Sequence, residues 1–227
     1  MIPPPANPLV AALDVSDVDR AEALARALEG SVGLFKVGLE LFTAHGPAAI
    51  LRLRHYGPVF VDLKLHDIPN TVERAARNCA RLGAAMFTVH ALGGEVMVAA
   101  AVRGAAQGAE ESGHPMPTVA AVTVLSSLGG ESLASPASLA FEAMSAGATA
   151  AVVSGDDVSV VREVVGEAFC LVVPGIRPAG SNGHDQVRIL TPEEAVVRGA
   201  DYLVLGRPLT ASEDPAGAAR SILATIR

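Results

Sequence analysis

Eight short apolar runs, each followed by a segment with helical periodicity, divide the whole chain. The predicted strands span residues 9–13, 34–37, 59–65, 85–90, 118–125, 149–154, 169–173 and 202–205. Strict alternation of strands and helices implies parallel strands joined by crossover helices. Eight such units predict one domain over residues 1–227, an α/β fold of the (β/α)8 (TIM) barrel type. An open doubly wound sheet is the alternative, but no Gly-x-Gly-x-x-Gly sequence follows the first predicted strand.

Capping residues, glycines and prolines indicate where the predicted helices begin and end. Ser16 or Asp17 suits the N-cap of the first helix, Pro69 suits the start of the third, and Thr191 suits the N-cap of the seventh. We expect helices over residues 18–28, 39–55, 69–82, 94–111, 133–145, 158–165, 192–198 and 215–226. Residues 174–186 are rich in Gly, Pro, Ser and Asn, and we expect them to form a long loop.

Charge and cysteine content restrict the partners and the compartment. The net charge of −7 predicts no extended basic surface for nucleic acid or an anionic membrane, although a local pocket for one small anion is still compatible with it. No apolar run is long enough to span a bilayer, and Met1 to Pro8 lacks the pattern of a signal peptide. Cys79 and Cys170 match no metal-binding spacing. We therefore expect a reduced, cytoplasmic protein.

The third predicted strand carries charges of both signs at its end. Asp62 and Lys64 are two residues apart, so they project from the same face of a regular strand. Asp67 lies just past the strand end, and Lys36 lies in the second predicted strand. Charges at the end of a buried strand are costly unless they are paired or used in function. A structural ion pair covering the barrel end is the simpler interpretation, but the second lysine-bearing strand favours a catalytic cluster.

Further polar residues follow other predicted strands. Asp14 follows the first strand, Arg177 the seventh, and Gly206 and Arg207 the eighth. Active sites of such barrels lie at this face, and the loops after strands seven and eight commonly bind phosphate. Gly206 allows backbone N–H groups to approach an anion, and the Arg207 guanidinium offers several donors to phosphate oxygens. The pattern favours a phosphate site over an Arg207 side chain that merely covers the barrel end.

The segment Asp-Leu-Lys-Leu-His-Asp-Ile-Pro-Asn-Thr resembles the D-x-K-x-x-D-I-P-x-T motif of the orotidine 5′-phosphate decarboxylase family. Similar short motifs occur in the same order along the chain: ALDV, LFKVGLELF, TVLSS, PGIRP, DQ and LGRPL. The resemblance implies a carboxy-lyase that converts orotidine 5′-monophosphate to UMP and CO2 in pyrimidine biosynthesis. It also implies that neither a metal ion nor another cofactor takes part.

The resemblance further implies a role for each matching residue. Lys64 would stabilise and protonate the carbanion at C6, Asp62 would lie against the departing carboxylate, and Lys36 would complete the charged network. The family's substrate-binding residues match Asp14, Lys36, Asp62, Ile68, Thr71, Ser126, Arg177, Gln186, Gly206 and Arg207. Residues 174–186 would close over the phosphate. In this family the last aspartate of the motif enters the neighbouring subunit's site, which implies a homodimer that shares Asp67, Ile68 and Thr71.

Two other functions remain open from the sequence. A sugar-phosphate aldolase or decarboxylase of the same superfamily would share D-x-K-x-x-D but use Mg2+ held by carboxylates. Residues 68–71 and Gln186 favour the nucleotide enzyme over this alternative. A non-catalytic barrel that binds a phosphorylated ligand is the other possibility, and the intact charged residues of the motif argue against it.

Overall fold

A computed structural model describes residues 5–124, 134–178 and 190–226. Eight parallel strands close into a barrel in sequence order. They are β1 (Leu9–Ala12), β2 (Leu34–Val37), β3 (Val59–Leu65), β4 (Met86–His90), β5 (Thr118–Val122), β6 (Ala150–Val152), β7 (Cys170–Val173) and β8 (Tyr202–Leu205). Pairing of Val10 with Leu34 on one side and with Val204 on the other closes the ring through β1. The predicted (β/α)8 barrel is confirmed.

Alternation along each strand divides the apolar core into two layers. Side chains such as Val10, Phe60 and Met86 point inward and fill the barrel, where Val172 and Val204 meet them. A larger cluster lies between the strands and the surrounding helices. Both layers are buried, because the strands of a parallel barrel are covered on both faces. The polar side chains at the carboxyl ends of the strands are therefore carried on a rigid support.

The helices cover the outside of the barrel. They are α1 (Val18–Leu28), α2 (Leu39–His45), α3 (Pro47–Leu53), α4 (Pro69–Arg81), α5 (Gly94–Ser112), α6 (Pro136–Ser145), α7 (Val158–Val165), α8 (Pro192–Val197), α9 (Arg207–Thr210) and α10 (Pro215–Thr225). A short 3-10 turn, Ala91–Gly93, precedes α5. Asp17 caps α1, and Thr191 caps α8 with a full capping box formed with Glu194.

One predicted helix is wrong. Residues 39–55 were expected to form a single helix, but the chain breaks between α2 and α3 at Gly46. Gly46 has a φ of 57°, which a side chain would disfavour, and Pro47 cannot donate the hydrogen bond that would continue α2. Pro47 instead takes the first position of α3, where its missing N–H has no cost.

Helices α4 and α5 pack with their backbones in contact. A Cβ atom at Gly104 or Gly108 would overlap the carbonyl oxygen of Glu73 or Arg77 on α4. Ion pairs between Arg103 and Glu73, and between Arg77 and Glu111, join the same two helices at the surface. Since α4 begins directly after the charged motif, this contact fixes where the motif leaves the barrel.

The amino-terminal end of the barrel carries one buried ion pair. Arg162 on α7 donates to Asp201 at 2.6 Å, and Asp201 also accepts from the backbone N–H of Leu171 at 2.7 Å. Arg162 also donates to the carbonyl oxygens of Gly199 and Phe169, at 2.8 Å each. Every group of this pair therefore lies against a hydrogen-bonding partner, as a buried charge requires.

Both cysteines are buried and free. Burial raises the pKa of the Cys79 thiol to about 12. Burial, followed by the charge of Asp201, raises the pKa of Cys170 to about 11. Among the described residues, no helix is long and apolar enough to cross a membrane.

Candidate active site

Four charged side chains form a continuous network at the carboxyl ends of β1, β2 and β3. Lys36 Nζ donates to Asp14 Oδ1 at 2.8 Å and lies 3.7 Å from Asp62 Oδ2. Lys64 Nζ donates to both carboxylate oxygens of Asp62, at 2.9 and 3.0 Å. Aspartate and lysine therefore alternate along the network, in the order Asp14, Lys36, Asp62 and Lys64. Asp14 rather than Asp67 completes the network within one chain.

Burial differs along this network. The side chains of Lys36 and Asp62 are only 10% and 14% exposed, whereas that of Lys64 is 32% exposed and that of Asp14 is 55% exposed. The central pair is therefore screened poorly by water, while both ends open to the barrel mouth. Such an arrangement holds charge in a low-dielectric site and still lets a substrate reach it.

Asp62 and Lys64 meet for a reason that differs from the one predicted. A regular strand was expected to place both on one face, but the register between β3 and β4 shifts between Val61 and Leu65. Lys64 has a φ of 52°, the one positive value among the non-glycine residues that the structure describes. A bulge, rather than simple alternation, therefore aims the lysine at the aspartate. Such strain is stored most often at functional sites.

Thr88 on β4 supports this bulge. Its side chain is fully buried, and its hydroxyl accepts from the backbone N–H of Lys64 at 2.8 Å. The same hydroxyl donates to Asp62 Oδ1 at 3.0 Å. A single uncharged side chain thus contacts the two residues of the motif that lie at the centre of the site.

Asp67, Ile68 and Thr71 lie outside the network. All three are exposed, and Asp67 accepts a hydrogen bond from the N–H of Ile68 at 2.6 Å. Within the described part of the chain, Asp67 makes no ion pair with either lysine. Ile68 exposes 66% of its surface, and the exposed side chains of Leu92 and Val96 follow the neighbouring strand β4.

A cavity of about 550 Å³ opens beside the network at the same end of the barrel. Its wall combines the charged residues of β1 to β3 with the loops after β7 and β8: Ala12, Asp14, Lys36, Asp62, Pro174, Gly175, Ile176, Arg177, Val204, Gly206, Arg207, Pro208 and Thr210. Lys64 contacts one of these lining residues, Asp62. The volume suits a molecule of nucleotide size. Cationic residues therefore face acidic ones across one opening.

The residues predicted to bind phosphate, Arg177, Gly206 and Arg207, lie together in the wall of the cavity. Arg177 is buried after β7, and Arg207 is exposed at the first position of α9. Gly206 precedes α9, so no side chain separates the backbone from the cavity at that point. Helix α9 was not predicted, because a helix of four residues is too short to show a hydrophobic periodicity.

Two predicted contacts, Ser126 and Gln186, lie outside the described residues. On either side of residues 179–189 the chain is held by a bridge between Ile176 and Leu190. The backbone N–H of Arg177 also donates to the carbonyl of Leu190 at 3.1 Å. The two ends of this stretch are therefore anchored next to the cavity.

Two histidines lie at the ends of β3 and β4, next to the bulge. The rings of His66 and His90 stack with their centroids 5.3 Å apart. His90 Nδ1 accepts from the N–H of Leu92 at 3.4 Å, at the start of the 3-10 turn. Burial, followed by the nearby His66 and Lys64, lowers the pKa of His90 below its ordinary value.

Sequence reasoning missed Thr88 and Gly38. Thr88 stands out only as a hydroxyl residue in the otherwise apolar strand β4. A Cβ atom at Gly38 would lie 2.9 Å from Asp14 Oδ1 and 3.0 Å from Lys36 Nζ, so this glycine leaves room for the outer ion pair. A stronger signal was available: Lys36 and Lys64 are the two lysines of the whole chain, and the other basic side chains are arginines or histidines.

Across the three described ranges, no group of three or more His, Cys, Asp or Glu side chains is arranged to hold a metal ion. The cationic donors that line the cavity are Lys36, Arg177 and Arg207, and Lys64 contacts the lining residue Asp62. They suit an anionic molecule rather than a bare cation.

Comparisons with known proteins match nearly the whole chain. The family model for "Orotidine 5'-phosphate decarboxylase / HUMPS family" matches residues 7–222. A relative from Anaeromyxobacter sp. (strain K), named orotidine 5′-phosphate decarboxylase, is 52% identical over 98% of this chain and 99% of its own length. A relative of the same name from Paramagnetospirillum magneticum is 50% identical over 97% of this chain and 98% of its own. The crystal structure of orotidine 5′-phosphate decarboxylase from Lactobacillus acidophilus superposes with a TM-score of 0.84 at 34% identity, covering 97% and 99% of the two chains.

Proposed function

The chain belongs to the orotidine 5′-phosphate decarboxylase / HUMPS family, and we propose that it converts orotidine 5′-monophosphate to UMP and CO2, a late step of pyrimidine biosynthesis. The observation that carries the proposal is the network from Asp14 to Lys64 beside a cavity with arginines on its far wall. Acid and amine at one end suit the ribose and the reacting carboxylate. The arginines at the other end suit the phosphate.

Lys64 is the residue that we assign to the chemical step. Loss of CO2 from C6 leaves an electron pair in the plane of the ring, where no neighbouring π system can accept it. An ammonium held at C6 stabilises that pair and then donates a proton to it, which gives UMP. Asp62 holds Lys64 Nζ at 2.9 Å, so the amine is already oriented before the substrate arrives.

Repulsion between Asp62 and the substrate carboxylate is too weak to be the main cause of catalysis. Two like charges in contact interact by about 4 kcal/mol at an effective dielectric near 20. The largest barrier reductions in enzymes exceed roughly 20 kcal/mol. Stabilisation of the carbanion by Lys64 therefore has to contribute more, together with binding energy from the phosphate.

The remaining residues bind the nucleotide. We assign Lys36 and Asp14 to the ribose hydroxyls, and Arg177 and Arg207, together with the backbone at Gly206, to the phosphate, because all five residues line one cavity. Ser126 and Gln186 retain the roles that family membership assigns to them, at the pyrimidine amide and between phosphate and pyrimidine. Closure of residues 174–186 over the phosphate would couple binding at one end to chemistry at the other.

A homodimer that shares its sites is part of the proposal. Asp67 is exposed and unpaired with the lysines of its own chain, within the residues that the structure describes. Ile68, Leu92 and Val96 expose apolar surface after β3 and β4, which favours association there. Asp67, Ile68 and Thr71 would then enter the partner's site, and Asp67 would approach the partner's Lys64.

The direct test of the activity is the loss of orotidine 5′-monophosphate absorbance with the purified protein. UMP and CO2 are the expected products, formed equally well before and after treatment with EDTA. Activity that disappears with EDTA and returns with Mg2+ would favour the sugar-phosphate type of enzyme. Absence of turnover in both conditions would refute the decarboxylase.

Sharing of the site can be tested separately by mixing variants. Lys64→Ala and Asp67→Ala subunits should each be inactive alone. Mixed dimers should recover activity, because one of their two sites contains both native residues. No recovery despite demonstrated subunit exchange would contradict the sharing.

The two buried thiols also fit a reducing compartment, and we propose the cytoplasm.

A further inference from the structure

The bulge in β3 is opposed by a single residue. Val61 pairs with Phe87, and the next registered pair is Leu65 with Val89. Three residues of β3, at positions 62–64, therefore face Thr88 alone. The regular ladder offers no backbone partner for the Lys64 N–H at this point, and the Thr88 hydroxyl accepts from it instead at 2.8 Å.

The hydrogen bond from the Lys64 N–H to the Thr88 hydroxyl matters because the backbone of Lys64 adopts a left-handed conformation. A lysine at a φ of 52° persists only when its surroundings hold it there. A buried N–H without a partner would favour a different local backbone. Thr88 removes that penalty for this one conformation, so it stabilises the geometry from which the Lys64 side chain turns back towards Asp62.

The same hydroxyl also orients the aspartate. Its proton is donated to Asp62 Oδ1 at 3.0 Å, which holds the carboxylate plane so that both oxygens accept from Lys64. The other oxygen then lies 3.7 Å from Lys36 Nζ. One uncharged group therefore links the backbone of Lys64 to the carboxylate that holds the Lys64 amine.

We propose that Thr88 is a positioning residue for the decarboxylation, acting through Lys64 and Asp62 without touching the reacting carbon. The inference rests on the proposed function for its kinetic consequence. Its structural part, that the Thr88 hydroxyl holds the Lys64 N–H, is independent of any activity. Thr88 is fully buried, and an isosteric valine would fill the same volume, so packing alone does not explain the hydroxyl.

The test compares Thr88→Val, which removes the hydroxyl at constant shape, with Thr88→Ser, which retains it. Ser112→Ala is the control, because the Ser112 hydroxyl also makes an intramolecular hydrogen bond, to the carbonyl of Gly108 at 2.7 Å, but lies at the last residue of α5, away from the cavity. Thr88→Val should lower kcat by about 10- to 100-fold with a smaller change in KM, since misplacement of a reacting group by about 1 Å has effects of this size. Thr88→Ser should recover most of that loss. Ser112→Ala should stay within about threefold of the native kcat.

Hydrogen exchange at the Lys64 amide provides the readout that does not depend on turnover. Exchange should accelerate at least about tenfold in Thr88→Val and return towards the native rate in Thr88→Ser. Native Lys64 exchange in Thr88→Val, or a kcat within about twofold of the native value, would overturn the proposal. If the native protein does not consume orotidine 5′-monophosphate, the proposed function fails, whereas the exchange measurement still decides whether Thr88 holds Lys64.

Discussion

The two ends of the barrel both contain buried ion pairs, but they are built differently. At the amino-terminal end, Arg162 and Asp201 are surrounded by carbonyl and N–H partners that use their hydrogen-bonding capacity. At the carboxyl end, Lys36 and Lys64 share the carboxylate of Asp62 beside an open cavity. The Arg162–Asp201 pair therefore stabilises the fold, whereas the two lysines at the other end keep N–H groups that can bind a further molecule.

The difference extends to the backbone and to the choice of cation. Arg162 lies in a regular helix, while Lys64 lies in a bulge with a left-handed φ. The planar guanidinium suits a fixed set of carbonyl oxygens, and the compact ammonium suits proton donation. The chain places both of its lysines at the cavity end, whereas the ion pair at the opposite end uses an arginine. Strain and reactivity are therefore concentrated at one end of the molecule.

Removal of the Lys64 amine should have the largest effect on activity. Lys64→Ala should lower kcat by at least about 10³-fold, because it deletes the group that stabilises the carbanion. The free energy of unfolding of Lys64→Gly should exceed that of Lys64→Ala by about 1 kcal/mol, since glycine accepts a positive φ without strain. Turnover assays and urea denaturation of both variants measure the two effects. Equal stability of the two would show that Lys64 is unstrained.

Removal of the Arg162 charge should have the largest effect on stability. Arg162→Met leaves the partly buried carboxylate of Asp201 without its cation, so we expect the free energy of unfolding to fall by about 3 kcal/mol, near the lower end of the range for a buried pair. The folded fraction should keep a kcat within about twofold of the native value. Arg220→Met, which removes an exposed pair with Asp214, is the matched control and should lose less than about 1 kcal/mol. A large kcat loss in Arg162→Met would contradict the division between the two ends.

A smaller effect is expected from filling the space at Gly38. In Gly38→Ala the new Cβ would push against Asp14 Oδ1 and Lys36 Nζ, so the outer ion pair has to move. We expect kcat/KM to fall about tenfold, with a change of less than about 1 kcal/mol in the free energy of unfolding. Steady-state kinetics and thermal denaturation test this together. Native kinetics would show that the pair has room to adjust.

The smallest effect is a pH dependence from His90. Its pKa is lowered by burial, then by His66 and Lys64, so the unfolded chain binds a proton at a higher pH than the folded one. The free energy of unfolding should therefore fall as the pH drops below about 6.5, the ordinary value for histidine. His90→Asn keeps an acceptor for the Leu92 N–H and should flatten this part of the curve. Urea denaturation at pH 5.5 and 7.5 provides the comparison.

The sequence predicts the barrel well and the site only in part. The ranges of β2, β3, β8 and α7 agree with the predictions to the residue, because apolar runs between clear breaks define them. The break at Gly46 was missed because a sequence of helical periodicity continued across it. The bulge at Lys64 and its support by Thr88 depend on the register between two strands, which no local pattern encodes. The identity of the charged residues could be predicted, but not the backbone that aims them.

The close contact of α4 with α5 has a consequence for assembly. Gly104 and Gly108 bring the two backbones together, so α4 cannot slide or tilt without separating them. Thr71 lies in the first turn of α4, and Asp67 lies two residues before the start of that helix. If Asp67 and Thr71 enter the site of a second subunit, the helix that carries them is already held in place by α5. These residues then lose little conformational entropy when the subunits associate. A substitution that loosened the glycine contact would then weaken the dimer before it affected any contact within the cavity.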